Sequence, residues 1–212
     1  IDINSPTAIN YPERRPFFNR GIDVLDYTMD VYYSRSINNP SFASKFLNQG
    51  KKSRIYMLTA IDQDSPYVVP TQFESFSGVG GRSFNNIIRY QNILNPNIQI
   101  GAIATNRNYS GDAYGNLIGF DGLFKFSGSW KLEIEYFKNS NKEPFSDWID
   151  SDKKFGEYTV NLDGETFNGN AIYSELRRDT NTWRSFLRYT GISPTFRDDN
   201  GFIVENNLKK YE

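Results

Sequence analysis

The sequence contains no cysteine and no histidine. The lack of cysteine excludes a disulfide framework, a thiolate metal site and a cysteine nucleophile. The lack of histidine excludes Ser-His-Asp and Cys-His arrangements and the usual catalytic zinc sites, and it removes the commonest general base at neutral pH. We therefore predict that the protein is not an enzyme and has no catalytic residue, metal ligand or cofactor. A hydrolase that uses two carboxylates at a set separation stays open as an alternative.

Long apolar runs and an excess of one charge are also missing. No stretch of about 18 apolar residues exists, so no transmembrane helix is predicted, although the short, half-apolar strands of a membrane barrel would escape this test. Lysine and arginine number 24, and aspartate and glutamate number 25. Nucleic acid is therefore not an expected partner. The start at Ile1 lacks the basic and apolar regions of a signal peptide, so we expect the chain to begin inside a mature protein.

Aromatic residues, in contrast, make up 16% of the chain, and they favour strands. Polar turn segments recur along the sequence, among them Asn48-Gln49-Gly50 and Ser127-Gly128-Ser129. The sequence therefore predicts an all-β, antiparallel fold of about ten strands. These strands are expected near residues 30–37, 42–48, 52–62, 84–94, 97–106, 116–126, 130–138, 156–162, 167–178 and 183–191.

The clearest predicted strand pair is 116–126 with 130–138, where large apolar side chains alternate with polar or small ones. The apolar set is Ile118, Phe120, Phe124, Phe126, Trp130, Leu132, Ile134 and Tyr136. In a hairpin that turns at residues 127–129, the apolar residues of the two strands lie opposite each other. The other face carries charges. The segment 183–190 repeats this pattern, with Phe186 as an exception on its polar side.

Two folds produce this alternation. In a soluble β-sandwich the apolar face packs inward, whereas in an outer-membrane β-barrel it faces lipid and the charged face lines the lumen. Sequential hairpins, and the contrast between the short turn at 127–129 and the long polar segment 139–156, favour the barrel. Aromatic residues near strand ends are expected to form interfacial girdles; they are Trp130, Tyr136, Phe137, Trp183 and Tyr189.

Several strings resemble a known family. Tyr11-Pro12-Glu13-Arg14-Arg15-Pro16-Phe17-Phe18, Gly21-Ile22-Asp23-Val24 and Tyr33-Ser34-Arg35-Ser36-Ile37 are similar to the barrel region of domain of unknown function 5916. Residues 102–111, 119–121 and 192–202 resemble further strings of that family, in the same order. The resemblance implies a bacterial outer-membrane β-barrel without a settled activity, usually preceded by a domain similar to family 9 carbohydrate-binding modules.

On this basis we expect one domain over residues 1–212: an antiparallel, up-and-down transmembrane β-barrel or the N-terminal part of one. Residues 1–29 would form an extended segment at the rim or in the lumen, and residues 30–212 would form the strands. Because similar proteins continue with more strands, a partial barrel is expected, and its open edges require more chain or partner subunits.

The expected partners are outer-membrane lipid, glycan and other subunits of a membrane complex, and the expected role is transport or the handling of surface glycans. The alternative is a soluble or surface-exposed β-sandwich that binds glycans through aromatic side chains.

The candidate binding residues are charged side chains of the lumen or rim. Glu13 is expected to pair with Arg14 or Arg15 in a structural turn between two prolines. Arginines 35 and 107 would either bind a lipid phosphate or a sugar acid, or, as the favoured interpretation, pair with carboxylates of the lumen such as those at 121, 133 and 135. The full set is Arg14, Arg15, Arg35, Arg107, Asp121, Lys125, Glu133, Glu135, Arg184 and Arg188.

Acidic loops offer oxygen ligands that would suit calcium. They are Asp62-Gln63-Asp64, the set Asp147, Asp150 and Asp152, and Asp198-Asp199-Asn200-Gly201. None has the spacing of an EF-hand loop, and aspartate, asparagine and glycine are ordinary turn residues. The favoured interpretation is therefore a set of turns without metal.

Overall fold

A computed structural model describes residues 9–126, 129–146 and 151–212. One α-helix spans Pro16–Asn19, and two 3-10 helices span Ile22–Leu25 and Ser34–Ser36. The strands are β1 Pro40–Gln49, β2 Ser53–Asp62, β3 Pro66–Pro70, β4 Ser75–Val79, β5 Ser83–Asn95, β6 Ile98–Tyr109, β7 Tyr114–Phe126, β8 Trp130–Lys142, β9 Phe145–Ser146, β10 Lys154–Phe155, β11 Tyr158–Thr159, β12 Leu162–Asp163, β13 Thr166–Asp179, β14 Arg184–Ile192 and β15 Leu208–Tyr211. Among the described residues, no helix has the length and apolar character needed to cross a membrane.

Nine of these strands form one antiparallel sheet in the order β1-β2-β5-β6-β7-β8-β13-β14-β15. Each long strand pairs with the next long strand along the chain, which confirms the predicted all-β, antiparallel class with sequential hairpins. The other strands form three sheets of two strands each. Within the described residues, β1 and β15 stand at the two edges and do not pair with each other.

Two of the predicted strands are wrong. Residues 30–37 hold no strand but a 3-10 helix at Ser34–Ser36. Their apolar side chains pack onto the sheet, and their backbone does not pair with it. Residues 156–162 hold β11 and the first residue of β12 rather than one long strand. The sequence interpretation also missed the hairpin of β3 with β4 and the last strand, β15.

The register of β7 and β8 is the one that the apolar pattern predicts. Phe120 lies opposite Tyr136 and Phe124 opposite Leu132, so the apolar side chains of both strands share one face. This face, which we call the outer face, is exposed: Phe120 has 55% of its surface accessible. On the opposite, inner face Phe137 is buried, whereas Lys125, near the turn between the two strands, is exposed.

Phe137 thus corrects one expectation, since it packs against Tyr27 on the inner face and cannot belong to an interfacial girdle.

The inner face is covered by residues 9–39. Their apolar side chains form one core with those of the sheet; the members contributed by the covering segment are Phe18, Val24, Leu25, Tyr27, Met29, Val31, Tyr32 and Ile37.

The outer face has an apolar band bounded by a polar row. The row crosses six strands in register and consists of Thr59, Asn86, Asn106, Asn116, Ser140 and Asn168. Hydrogen bonds link its first four members: Thr59 Oγ1 donates to Asn86 Oδ1 at 3.0 Å, and Asn106 Nδ2 donates to Asn116 Oδ1 at 2.7 Å. The second link, from Asn86 Nδ2 to Asn106 Oδ1, is longer, at 3.5 Å.

Connections between the strands of the large sheet are short at one end, whereas three of the four at the other end are long. At one end they are residues 50–52, 96–97, 127–129 and 180–183. At the other end they are residues 63–82, 110–113, 143–165 and 193–207. We call these the short-turn end and the long-loop end. The difference arises because the long-loop end carries the small sheets, which pack there around a second apolar core that includes Tyr67, Phe155 and Phe167.

Candidate functional site

The charged side chains of the inner face form three groups, at mid-height, at the short-turn end and at the long-loop end. The group at mid-height ties the covering segment to the sheet. Arg89 donates two hydrogen bonds to Asp121, of 2.6 and 2.9 Å, and its guanidinium lies 4.8 Å from the ring centre of Tyr27. Arg89 also lies directly over Gly101, where any Cβ would collide with the guanidinium. Such a bidentate, largely buried pair is specific in geometry as well as favourable in energy.

Glu135 belongs to the same group but forms no ion pair with a lysine or arginine among the described residues. Its Oε1 accepts a hydrogen bond from the Thr28 N–H at 2.8 Å, and its Oε2 accepts one from the Met29 N–H at 3.2 Å. A carboxylate of the sheet therefore satisfies two backbone donors of the covering segment. This role is structural, because both oxygens are engaged by the chain itself.

At the short-turn end the covering segment reaches β1, where Gln49 donates to Asp23, whereas the inner face of β8, β13 and β14 carries a partly exposed network of ion pairs. Glu175 accepts from Arg177 and from Arg188, both at 2.6 Å. Arg188 also contacts Glu212 at 3.2 Å, and a separate pair joins Lys131 to Glu133 at 2.7 Å. Across β8 and β13 the charges are of like sign, since Glu133 lies opposite Glu175 and Lys131 opposite Arg177, whereas Glu175 lies opposite Arg188 of β14. They form a charged surface that can bind polar groups of either sign.

At the long-loop end lies a group of fully buried charges. Arg197 donates from Nη1 to Glu143 Oε1 at 2.5 Å and from Nε to Asp199 Oδ1 at 3.1 Å. The guanidinium is packed 4.6 Å from the ring centre of Phe167 and 5.3 Å from that of Tyr67. Neither Arg197 nor Glu143 has any exposed side-chain surface. Burial of this kind is tolerated only when each charge keeps its partner.

The loop that supplies Arg197 lies tightly on the sheet. A Cβ at Gly169 would come within 2.5 Å of the Phe196 backbone nitrogen, and a Cβ at Gly115 would collide with the carboxylate of Asp199. Glycines at these two positions of β7 and β13 therefore let the loop approach the strands. The loop also reaches the covering segment, because the Tyr33 N–H donates to the Asn200 carbonyl at 2.8 Å and the Phe202 N–H to the Asp30 carbonyl at 2.7 Å.

Two predicted site residues lie in the turn between the prolines, and the expected ion pair forms there. Arg15 contacts Glu13 at 2.8 Å, while Arg14 is exposed. Arg15 also donates to the carbonyls of Ile37 and Ser34, at 2.7 and 2.9 Å. Arg15 donates from Nε and Nη2 to the Glu13 carboxylate, at 3.0 and 2.8 Å. Burial by itself would raise the pKa of Glu13, but the hydrogen bonds from Arg15 lower it to about 2. The pair thus fastens the start of the covering segment to its end.

The favoured pairing of Arg35 and Arg107 with carboxylates is wrong. Arg35 donates to the Pro12 carbonyl at 3.1 and 3.2 Å. Arg107 is fully buried and donates to Asn85 Oδ1 at 2.7 Å and to the carbonyls of Pro66 and Ser36 at 3.1 and 2.7 Å. Both arginines bond to backbone carbonyls: those of Pro12 and Ser36 lie outside the strands, and that of Pro66 lies at the start of β3.

The remaining predicted site residues are spread over the inner face. Lys125 is exposed near the short-turn end, and Arg184 forms an exposed pair with Asp179 at 2.5 Å. Glu133 and Arg188 belong to the short-turn network, whereas the carboxylates at positions 121 and 135 contact the covering segment. The structure therefore places the predicted residues of the strands on one face of the sheet and Arg14, Arg15 and Arg35 in the covering segment, and it does not bring them into one site.

The acidic loops have local roles. Asp62 accepts from the N–H groups of Asn38 and Asn39, at 2.9 and 2.6 Å, and Asp199 pairs with Arg197. Asp198 accepts from the Asn200 N–H at 3.1 Å. Asp147 and Asp150 lie outside the described residues. A different group of acids, Glu143, Asp163 and Glu165, has one oxygen of each within 4.8 Å of the others and has the donor set for a metal ion.

Sequence reasoning missed Arg89, Glu143, Glu175, Arg177 and Arg197 as functional side chains. For Arg89 a signal existed, since it occupies the same face of β5 as Asn85 and Gln91 in a strand rich in apolar residues. Glu143 and Arg197 gave no such signal. They are 54 residues apart and belong to no strand, so only the folded loops bring them together.

The fold and its charges define a class: an all-β protein with a large antiparallel sheet that has an apolar, exposed outer face and a charged, largely packed inner face. Comparisons of the chain with protein families, with curated proteins and with solved structures find no match.

Proposed function

We propose that the chain forms part of the wall of an outer-membrane β-barrel, with residues 9–39 acting as a plug on its lumen side. The observation that carries this proposal is the inverted distribution of side chains over the sheet. The exposed outer face bears phenylalanine, isoleucine, tyrosine and methionine, while the packed inner face combines an apolar core with ion pairs and buried charges. A soluble protein would bury the apolar face, whereas a membrane barrel presents it to lipid.

The apolar band on β7 has a length of the order that a membrane barrel needs. The outer-face residues from Ile118 to Phe126 are apolar or glycine, which is about 26 Å of strand at about 3.3 Å per residue. At a barrel's strand tilt of about 35–45°, this length spans about 20 Å of the membrane normal, and the apolar band of outer-membrane barrels is about 25 Å tall. The polar row that contains Asn116 bounds the band on one side, and Trp130 and Trp183 flank Arg178 on the other, as interfacial aromatic residues do.

The unequal connections favour the same assignment, with the short turns on the periplasmic side and the long loops outside.

The alternative β-sandwich needs a second sheet to cover the apolar face. In the described part of the chain the remaining sheets have two strands each, and they pack at the long-loop end. The outer face is therefore available for lipid.

We also propose that the chain belongs to the family of domain of unknown function 5916 and has the structural or transport role of a barrel. In support, the strings that carry the resemblance meet in space, since the Tyr33 N–H donates to the Asn200 carbonyl and Arg107 donates to the Ser36 carbonyl. Because the plug covers most of the inner face, we assign the polar surface for glycan or other solutes to the charged short-turn end, where Arg188, Lys131 and Glu133 stay partly accessible.

A charge placed in the apolar band tests the membrane assignment. We expect Phe120→Arg to lower the membrane-bound fraction of the chain at least about tenfold, because arginine at the bilayer midplane costs about 2–4 kcal/mol. The measurement is flotation with phosphatidylcholine vesicles after refolding from denaturant. Asn106→Arg is the matched control, since it adds the same charge to the same face but in the polar row, where the cost is about 0–1 kcal/mol.

The proposal is overturned if the wild-type chain stays monodisperse without detergent and does not float with vesicles. It is equally overturned if both arginine variants bind vesicles as the wild type does, because the outer face would then not contact lipid.

A further inference from the structure

Three acidic side chains converge at the long-loop end, beyond the last residues of β8 and β13. The pairing of these strands continues past their ends: the Glu143 N–H donates to the Glu165 carbonyl at 3.0 Å, and Asp163 lies opposite Phe145 in the pairing of β9 with β12. The two adjacent chain segments therefore place Glu143, Asp163 and Glu165 side by side. One oxygen from each lies within 4.8 Å of the other two.

Two of these carboxylates are held in place by Thr159. Its N–H donates to Glu165 Oε2 at 3.0 Å, and its hydroxyl donates to Asp163 Oδ2 at 3.2 Å. Each hydrogen bond leaves the carboxylate further lone pairs, so both side chains are oriented and still able to coordinate. Asp163 is exposed, which gives an ion a path from solvent.

The independent observation is the state of Glu143, which is 1% exposed. Its Oε1 accepts from Arg197, but among the described residues its Oε2 has no hydrogen-bond partner. A buried carboxylate oxygen without a donor is unfavourable, and a bound cation removes that penalty.

We propose that Glu143, Asp163 and Glu165 form a calcium-binding site that fastens the loop before β13 to the end of β8. Calcium takes oxygen ligands in flexible geometry and completes its shell of six to eight with water, whereas magnesium demands a near-ideal octahedron. Three carboxylates from an irregular loop suit the first ion better. With few protein ligands, the site should bind in the range of about 10⁻⁴–10⁻³ M that is typical of extracellular modules.

Isothermal titration of the whole chain with CaCl₂ tests the site. We expect one calcium ion per chain, and at least about tenfold weaker binding in Asp163→Asn and in Glu165→Gln, because each variant removes a charged ligand. Asp152→Asn, which removes an exposed acid of the same connection, should bind as the wild type does. Both ligand variants keep the buried pair of Glu143 with Arg197, so they report on the ion and not on that pair.

The proposal is overturned if no calcium binds up to about 10 mM, well above the expected range. It is also overturned if Asp163→Asn binds with wild-type affinity, or if MgCl₂ at the same concentration gives the same isotherm. The test is independent of the membrane assignment, since a chain that failed to bind vesicles could still bind calcium in this loop.

Discussion

Replacement of Arg197 by methionine is expected to lower the free energy of unfolding by about 3–5 kcal/mol, because it leaves buried carboxylates without their cation. The guanidinium is the charged partner of Glu143 and Asp199, at 2.5 and 3.1 Å, and neither carboxylate side chain has more than 1% of its surface exposed. Methionine fills similar space, so the loss reports on charge more than on a cavity. Arg184→Met is the matched control: its pair with Asp179 is exposed, and its loss should cost at most about 1 kcal/mol.

Denaturant unfolding followed by tryptophan fluorescence, in the lipid or detergent that supports the fold, measures both changes. A second variant separates charge from packing. Adding Glu143→Gln to Arg197→Met should recover part of the lost stability, since it removes one of the two uncompensated charges. Equal, small losses for Arg197→Met and Arg184→Met would show that the buried group does not stabilise the loop.

Stability is expected to fall as the pH rises from about 4 to about 8, and Asp198 is expected to be a principal cause. Burial raises the pKa of its carboxyl from 3.8 to about 8, and the charge of Asp199 adds to this, although the N–H groups of Asn200 and Gly201 oppose it. The folded chain therefore holds a proton that the unfolded chain has released. This contribution is fully present below the unfolded pKa and is lost as the pH rises through about 8, at about 1.4 kcal/mol for each pH unit between the two values.

Asp198→Asn removes this titration. Between pH 5 and 9 it should therefore reduce the slope of the unfolding free energy against pH by up to about 1.4 kcal/mol for each pH unit, which is the slope that one proton contributes. A smaller slope of the same sign should persist, because the pKa of Glu143 is also raised, to about 7, by its burial. Asp152→Asn, at an exposed acid, serves as the control and should leave the profile unchanged. An Asp198→Asn profile that coincides with the wild type would contradict the assignment.

The correct predictions from sequence concern local pattern. Alternation over 116–126 and 130–138 was enough to predict the hairpin, its register and its two faces, because side chains of a strand point alternately to opposite sides. The same rule failed for residues 30–37. Alternating apolar side chains also suit an extended segment that packs onto a sheet, as Val31 and Ile37 do, and the pattern does not say whether the backbone will join a ladder.

The partners of the charged side chains were not predictable in the same way. Asp121 was expected to meet Arg35 or Arg107, but it pairs with Arg89, which the register of β5, β6 and β7 places two strands away on the same face. Which of several arginines reaches a carboxylate depends on the distance between strands and on what covers them. Sequence spacing contains neither quantity.

The sequence by itself determined the strand class, the order of hairpins and the apolar character of one face, because these follow from residue type and a period of two. Only the tertiary structure decided that the apolar face is the exposed one, that residues 9–39 cover the charged face, and that Glu143 meets Arg197, Asp163 and Glu165. The physical reason is that burial and charge pairing depend on contacts between segments far apart in the chain. Such contacts are fixed by the packing of the whole sheet and its loops and not by any local pattern.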